Sequence, residues 1–339
     1  MDTVDWTFRR YSPADVALWD KFVSESRNAT FMHLRGYMDY HSDRFSDHSL
    51  LAYKDGSLRA VLPANLTMDD DGNLTLHSHQ GLTYGGWLLP RHHFDGVDML
   101  GLMDALAEYC RGMEITELDY KPIPYIYASQ PSQEDLYALF RLGAELSESG
   151  LSEAITLDAD PGFNTLRRRH LKKARTMHPD FTVREITDDA GVAAFHAMLT
   201  QCLRQRHGAT PVHSFIELQL LRRRFPENIR IFGGYALGTR DDIQGNENSM
   251  VMEAGVCIYT TPLVAHCQYI ATTPYGRENN LLTPLFDQLI HREFSGVRYF
   301  DFGTSNEQGG QYLNAGLLRQ KASYGGSGVA YQRYRLRID

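Results

Sequence analysis

At 339 residues the chain is longer than one hydrophobic core usually serves, so two domains are expected. Hydrophobic residues make up 42% and charged residues 22%, which excludes a disordered or low-complexity chain. The formal charge is −8 and uneven: residues 1–150 hold 12 Lys+Arg against 23 Asp+Glu and the remainder 22 against 19, which argues against a general nucleic-acid binder and leaves room for a local polyanion site in the second half.

The N-terminus has no apolar signal core, and no run reaches the length of a membrane span. Cys110, Cys202, Cys257 and Cys267 show neither C-x-x-C nor Cys/His ligand spacing, so reduced thiols, no metal and a cytoplasmic location are expected.

In chain order, Asp5 to Tyr11 reads as a strand, and Ser12-Pro13 starts a helix whose stripe is Trp19, Phe22 and Val23. A helix over Leu34 to Phe45 places Tyr37, Tyr40, His41 and Arg44 on one face. Strands Ser49 to Tyr53 and Leu58 to Thr67 flank the Asp55-Gly56 hairpin signal. Strand Asn73 to His79, the glycine loop Gly81 to Gly86, helix Asp95 to Arg111, strand Glu117 to Pro122, helix Gln133 to Ser147 and strand Ala154 to Leu157 complete the first half.

The second half begins with a basic helix, Thr165 to Met177. Strand Thr182 to Ile186, helices Asp189 to His207 and Ser214 to Arg224, and strands Ile229 to Leu237 and Ala254 to Tyr259 follow, with Gly238 to Met250 as a mobile polar loop. Strand Ala265 to Thr272, helix Asn280 to Phe294, strand Val297 to Phe302 and a final strand or hairpin from Tyr324 to Ile338 close the chain. Both halves thus read as helices, hairpin, strand, helix and strand, a duplication visible in element order alone. A strand–helix–strand unit places ligands at its strand ends.

Two segments carry a family resemblance. Val297-Arg298-Tyr299-Phe300-Asp301-Phe302-Gly303, followed by Gly310, Gln320-Lys321 and Tyr324-Gly325, resembles the C-terminal signature of the Fem-type (FemAB-like) acyltransferases, and Leu166 to Arg175 resembles the basic helix that opens their second lobe. The resemblance implies an α/β (α+β) protein of two tandem GNAT-like lobes, 1–158 and 159–339, each a mixed central sheet flanked by helices, with a cleft between them. It implies direct acyl, acetyl or aminoacyl transfer to the amine of a small-molecule or peptide acceptor. Two departures bear on the donor. The glycine-rich acyl-CoA loop of GNAT proteins has only Thr273-Pro274-Tyr275-Gly276-Arg277-Glu278-Asn279-Asn280 in its place, and no paired-helix arm for tRNA is present. These departures leave the donor open between acyl-CoA and aminoacyl-tRNA, with a tRNA partner the less favoured.

The candidate site residues follow from position. Asp301, Ser305, Asn306 and Glu307 sit on a polar stretch after an apolar strand, with Lys321 returning beside them to bind an anion; the competing reading is a turn capped by Asp301 with Lys321 in solvent. His266 and Gln268 alternate along the strand that GNAT-type folds open for the donor, where His266 is a base or a satisfied core histidine. Asp301, Glu307 and His266 are therefore the candidate bases, and Gln268, Gly276, Arg277 and Asn280 the donor-binding set. Arg169 and Lys173 on the basic helix offer charge to a polyanion or else are solvated. In the first half Tyr84, Tyr37, His41 and Lys121 line a ligand site or pack. The alternative to an enzyme is a non-catalytic binder of a nucleotide-linked or peptide ligand.

Overall fold

In the computed structural model the described residues are 6–159, 162–237 and 249–338. Residues 238–248 of the polar loop lie outside them, as do the side chains of Arg206 and His207. The strands are β1 (Trp6–Arg10), β2 (Ser46–Asp47), β3 (Leu50–Lys54), β4 (Ser57–Leu62), β5 (Asn65–Met68), β6 (Leu74–His77), β7 (Ile115–Tyr120), β8 (Glu145–Thr156), β9 (Thr182–Glu185), β10 (Ile229–Leu237), β11 (Met250–Thr260), β12 (Val264–Thr272), β13 (Tyr299–Thr304), β14 (Asn306–Glu307), β15 (Tyr312–Leu313) and β16 (Ser327–Arg337). The α-helices are α1 (Val16–Glu25), α2 (Arg35–Met38), α3 (Gly96–Gly112), α4 (Glu134–Arg141), α5 (Thr165–Met177), α6 (Asp189–His207), α7 (Phe215–Arg224), α8 (Pro274–Glu278), α9 (Leu282–Gln288) and α10 (Ala315–Ala322).

The chain forms two compact units. The first runs to Leu151 and also takes Asn306–Leu313 and Val329 onward; the second holds Ser152–Ser305 and Asn314–Gly328. In the first unit β1, β3 and β4 make a small antiparallel sheet, with Asp55 and Gly56 both at positive φ in the hairpin that Asp-Gly announces. Its larger sheet orders β2-β5-β6-β7-β16 and the first part of β8. The parallel pair is β6 and β7, and α3, capped by Asp95 on the Val97 and Asp98 N–H groups, is the helix between them. Its core gathers Trp87, Leu50, Leu62, Leu76, Met99, Leu102 and Leu118.

The second unit repeats the plan. Its sheet orders the last part of β8, then β13-β12-β11-β10-β9, and the parallel pair is β12 and β13. Ile155, Val256, Ile258, Leu285, Phe286, Phe300 and Phe302 form its core. The parallel ladder is short: Val264, Ala265 and His266 pair with Tyr299, Phe300 and Asp301, and nothing on β12 beyond His266 pairs with β13. On its other edge β12 carries a bulge, because Cys257 and Ile258 face Tyr269 and Cys267 and leave Gln268 without a register partner.

Several elements differ from the sequence reading for local reasons. The helix over Leu34 to Phe45 is only Arg35–Met38 plus a 3-10 turn at Asp39–His41. The helix from Gln133 stops at Arg141 because Gly143, at φ 76, turns the chain into a twelve-residue β8. The helix expected from Asn280 is α9, continued by a π turn over Leu289–Glu293; Asn280, at φ 57, separates it from α8, a short helix that the sequence reading does not include. The basic helix does bury a face despite charges all round, because the Arg167 guanidinium stacks 4.3 Å over the Tyr324 ring. The stretch read as loop before Tyr324 contains α10, capped by the Asn314 side chain accepting from the Leu317 N–H.

Candidate active site in the second unit

A cavity of about 650 Å³ opens at the C-terminal end of β12. It is walled by α5, α8, α9 and α10, and its cationic groups are Arg167, Arg277 and Arg319, with the His170 imidazole beside them; among the described residues no carboxylate lines it. Arg167 is buried, and its Nε and one terminal nitrogen donate to Ser323 Oγ at 3.0 and 2.9 Å while the other donates to Thr283 Oγ1 at 3.2 Å. Its partners are neutral hydroxyls and an aromatic face, so its charge stays uncompensated by any carboxylate among the described residues. Burial, then the charges of Arg167 and Lys173, hold His170 below the ordinary imidazole range. An anion in the cavity would relieve all of these costs together.

Of the donor-binding set, Gly276, Arg277 and Asn280 line this cavity. Gln268 is the bulge residue of β12 and is half-buried. The Gly276 N–H donates to Thr273 Oγ1 at 2.9 Å, and that hydroxyl in turn donates to Glu253 Oε2. A Cβ on Gly276 would stand 2.1 Å from the Glu253 carbonyl oxygen, so glycine there lets α8 lie against β11.

At the last paired rung of β12 and β13, His266 Nδ1 donates to Asp301 Oδ2 at 2.7 Å. Asp301 is fully buried; its Oδ1 accepts from Ser152 Oγ and from the Gly303 N–H at 3.2 Å. Lys321, on α10, is buried rather than solvated, and its Nζ donates to the Gly303 and Thr304 carbonyls at 2.8 and 2.7 Å. Burial brings its pKa down to about 8. Ser305 is also buried, with its carbonyl accepting from the Asn314 N–H.

The other expected residues lie elsewhere. Asn306 and Glu307 belong to the first unit, in the β14–β15 hairpin. Asn306 Oδ1 accepts from the Leu151 N–H at 2.6 Å, and Glu307 is exposed. Arg169 and Lys173 are exposed on α5, without an ion pair among the described residues. Tyr37, His41, Tyr84 and Lys121 are in the first unit. Tyr37 meets Phe31 and Tyr40 edge-on at 5.5 Å, His41 stacks on His79 at 5.1 Å, and Tyr84 lies 4.5 Å from Tyr127. Lys121 Nζ donates to the Leu82 carbonyl at 2.5 Å, and burial brings it down to about 8.

The sequence reading does not single out Ser152, Thr283, Arg319 or Ser323. Ser152 lies in a strand too polar to read as one. The only available signal for Arg319 was the Asn314 cap followed by Leu317, Leu318 and a basic last turn.

No family model matches the sequence, and no curated protein matches it. Solved structures do. The chain is similar to FemX, with a TM-score of 0.68 at 11% identity over 98% of this chain and 97% of that one. It is similar to a tandem GNAT protein from the clavulanic acid biosynthesis pathway, determined without AcCoA, with a TM-score of 0.53 at 12% identity over 99% of both chains. It is also similar to L-PGS from Bacillus licheniformis, with a TM-score of 0.57 at 13% identity over 98% of this chain and 93% of that one. Among the described residues no helix is long and apolar enough to cross a membrane. The chain therefore has a Fem-like tandem GNAT fold.

Proposed function

We propose that the chain is an N-acyltransferase that passes an acyl group directly from a thioester donor of the acyl-CoA kind to the amine of a small-molecule or peptide acceptor. The observation that carries this reading is the pairing of a parted parallel strand pair with a carboxylate-free cationic cavity at the end of the parted strand. Arg167, Arg277 and Arg319 would hold the donor's phosphates, with Arg169 and Lys173 available for further negative charge. Beyond His266 the N–H groups on the β13 side of β12 have no strand to pair with, and near Gln268 they would polarise the acyl carbonyl. Direct transfer needs that polarisation, an oriented amine and a proton acceptor, and no covalent nucleophile. The tandem GNAT relative determined without AcCoA supports a CoA donor over an aminoacyl-tRNA.

Calorimetric titration with acetyl-CoA and CoA, followed by thiol-release assays against a panel of amino acids, amino sugars and short peptides, tests the reading. CoA should bind, and Arg277→Ala with Arg319→Ala should abolish the binding. A protein that binds no CoA species and releases no thiol with any amine is not this enzyme. Transfer from aminoacyl-tRNA alone would move the donor class and keep the reaction.

A further inference from the structure

Each unit holds one histidine–aspartate pair across its parallel strands, and the two pairs differ in what their outer atoms do. In the first unit His77 on β6 faces Asp119 on β7, with Nδ1 2.6 Å from Oδ2. Its other nitrogen is engaged by Thr67 Oγ1 at 2.8 Å. Arg333 on β16 donates from Nε to Asp119 Oδ1 at 2.5 Å and also reaches Glu148 at 2.9 Å. Burial pushes Asp119 up, but Arg333 and His77 outweigh it and hold the carboxyl well below its usual range. Every polar atom of that pair is spoken for, so it acts as a clamp.

In the second unit the register is the same, His266 on β12 facing Asp301 on β13, and the outer atom is open. An imidazole whose Nδ1–H donates to a carboxylate keeps a lone pair on Nε2. No described residue bonds His266 Nε2, and the side chain remains 12% exposed. Gly303, at φ 75, passes beside the ring; a Cβ there would sit 3.4 Å from Cε1 and 4.0 Å from Nε2. The ladder between the two strands ends at this residue pair, where the strands part. The titratable groups beside it are Tyr259, its register partner on β11, Cys267 next in the chain and Asp301; Cys267, Asp301 and Glu153 on β8 in turn act on Lys321 of α10.

We propose that His266 is the proton acceptor of the transfer, with Asp301 and Ser152 as positioning residues; this rests on the acyltransferase reading above. The acceptor nitrogen attacks the acyl carbon, forming the C–N bond, and His266 Nε2 takes the amine proton. As the C–S bond breaks, the electron pair leaves on sulfur, and the imidazolium returns the proton to the thiolate. Amide and free thiol are the products, with no external reductant or oxidant. Asp301 keeps the ring in the accepting tautomer and steadies the imidazolium, and Ser152 fixes the carboxylate.

The test runs on the full chain with acetyl-CoA and the best amine from the panel. His266→Ala should bind CoA as the wild type does and lose about 100-fold or more in kcat/KM. The ascending single-proton limb of its pH profile should vanish with it. Ser152→Ala and Asp301→Asn should lose turnover and displace that limb without changing CoA affinity, and Thr67→Val, which frees the closed pair of the first unit, should leave the profile unchanged. His266→Ala that binds CoA and turns over with the wild-type limb overturns the assignment and leaves the acyltransferase standing. Failure of the wild type to bind CoA or release thiol overturns both. Nitrogen-15 NMR of the imidazoles gives a readout free of turnover: His266 should be the Nδ1–H tautomer, and an Nε2–H tautomer at neutral pH refutes the proposal.

Discussion

Replacing Arg167 with Met separates what the buried guanidinium does for the fold from what it does for a donor. The side chain makes three hydrogen bonds to two hydroxyls and stacks on Tyr324, yet it meets no carboxylate among the described residues. Together the three charge-assisted bonds and the ring stack stabilise the side chain by several kcal/mol. Against them stands the desolvation of a guanidinium that is only 8% exposed, a penalty of several kcal/mol by itself. Methionine is similar in length, packs on the same ring and removes the penalty with the bonds; Ser323 Oγ keeps its own acceptor, the Gln320 carbonyl, at 2.5 Å. The net change in stability should therefore stay within about 1.5 kcal/mol. Donor affinity has no such compensation: losing one cation from a carboxylate-free cavity should weaken CoA binding by about 10- to 100-fold, the equivalent of about 1.4–2.8 kcal/mol. Stability should be followed by circular dichroism, because Trp6, Trp19 and Trp87 all lie in the first unit and their fluorescence does not report on the second. Wild-type CoA affinity in a folded Arg167→Met protein would refute the argument.

Four further substitutions probe other parts of the reasoning. Asp135 is buried, accepts from Tyr120 Oη at 2.9 Å and is pushed up by burial from 3.8 to about 6. The folded state thus holds its proton over a pH range where the unfolded chain has lost it, so this group's contribution to stability falls as pH rises from about 4 to about 6. Asp135→Asn should remove up to about 3 kcal/mol of that loss, seen in urea titrations by tryptophan fluorescence as a gain over wild type at pH 7 and none at pH 4. A mutant less stable at pH 7 than wild type would contradict this. Arg333→Leu should destabilise the first unit by about 3 kcal/mol at pH 7, because Asp119 stays buried with only the His77 imidazole left to face its carboxylate. The sign is opposite to that of Asp135: the stability Arg333 lends Asp119 is present above the unfolded carboxyl pKa and is lost as pH falls below it, so the mutant and wild type should converge in acid. Gly276→Ala should cost about 1–3 kcal/mol and weaken CoA binding, since its Cβ meets the Glu253 backbone. Gly316→Ala lines the same cavity, but its Cβ would meet only Asn314 Oδ1 at 3.6 Å, so calorimetry should find it neutral or slightly stabilising.

The sequence was most informative where a residue's role depends on its neighbours along the chain. Asp55-Gly56, the Asp95 cap and the apolar runs of β12 and β13 each specify their local structure, and the order of such elements is enough to suggest a duplicated fold. Roles that depend on the third dimension were not legible. Lys321 reads in sequence as an anion-binding cation or, in the competing reading, a solvated one, but α10 turns it inward onto the Gly303 and Thr304 carbonyls. Arg167 is one of several basic residues in a row, and only the position of Tyr324 makes it the buried one. The same limit explains the two histidine–aspartate pairs. His77 and Asp119 are 42 residues apart and His266 and Asp301 are 35 apart, so the spacing alone does not relate them. They become equivalent once each parallel register is known, and they become different only through third residues: Thr67 and Arg333 close one pair, while Ser152 and Gly303 support the other and leave its outer nitrogen open. A duplicated fold therefore provides two copies of one geometry, and the polar neighbours of each copy decide whether it serves as a clamp or as a proton acceptor.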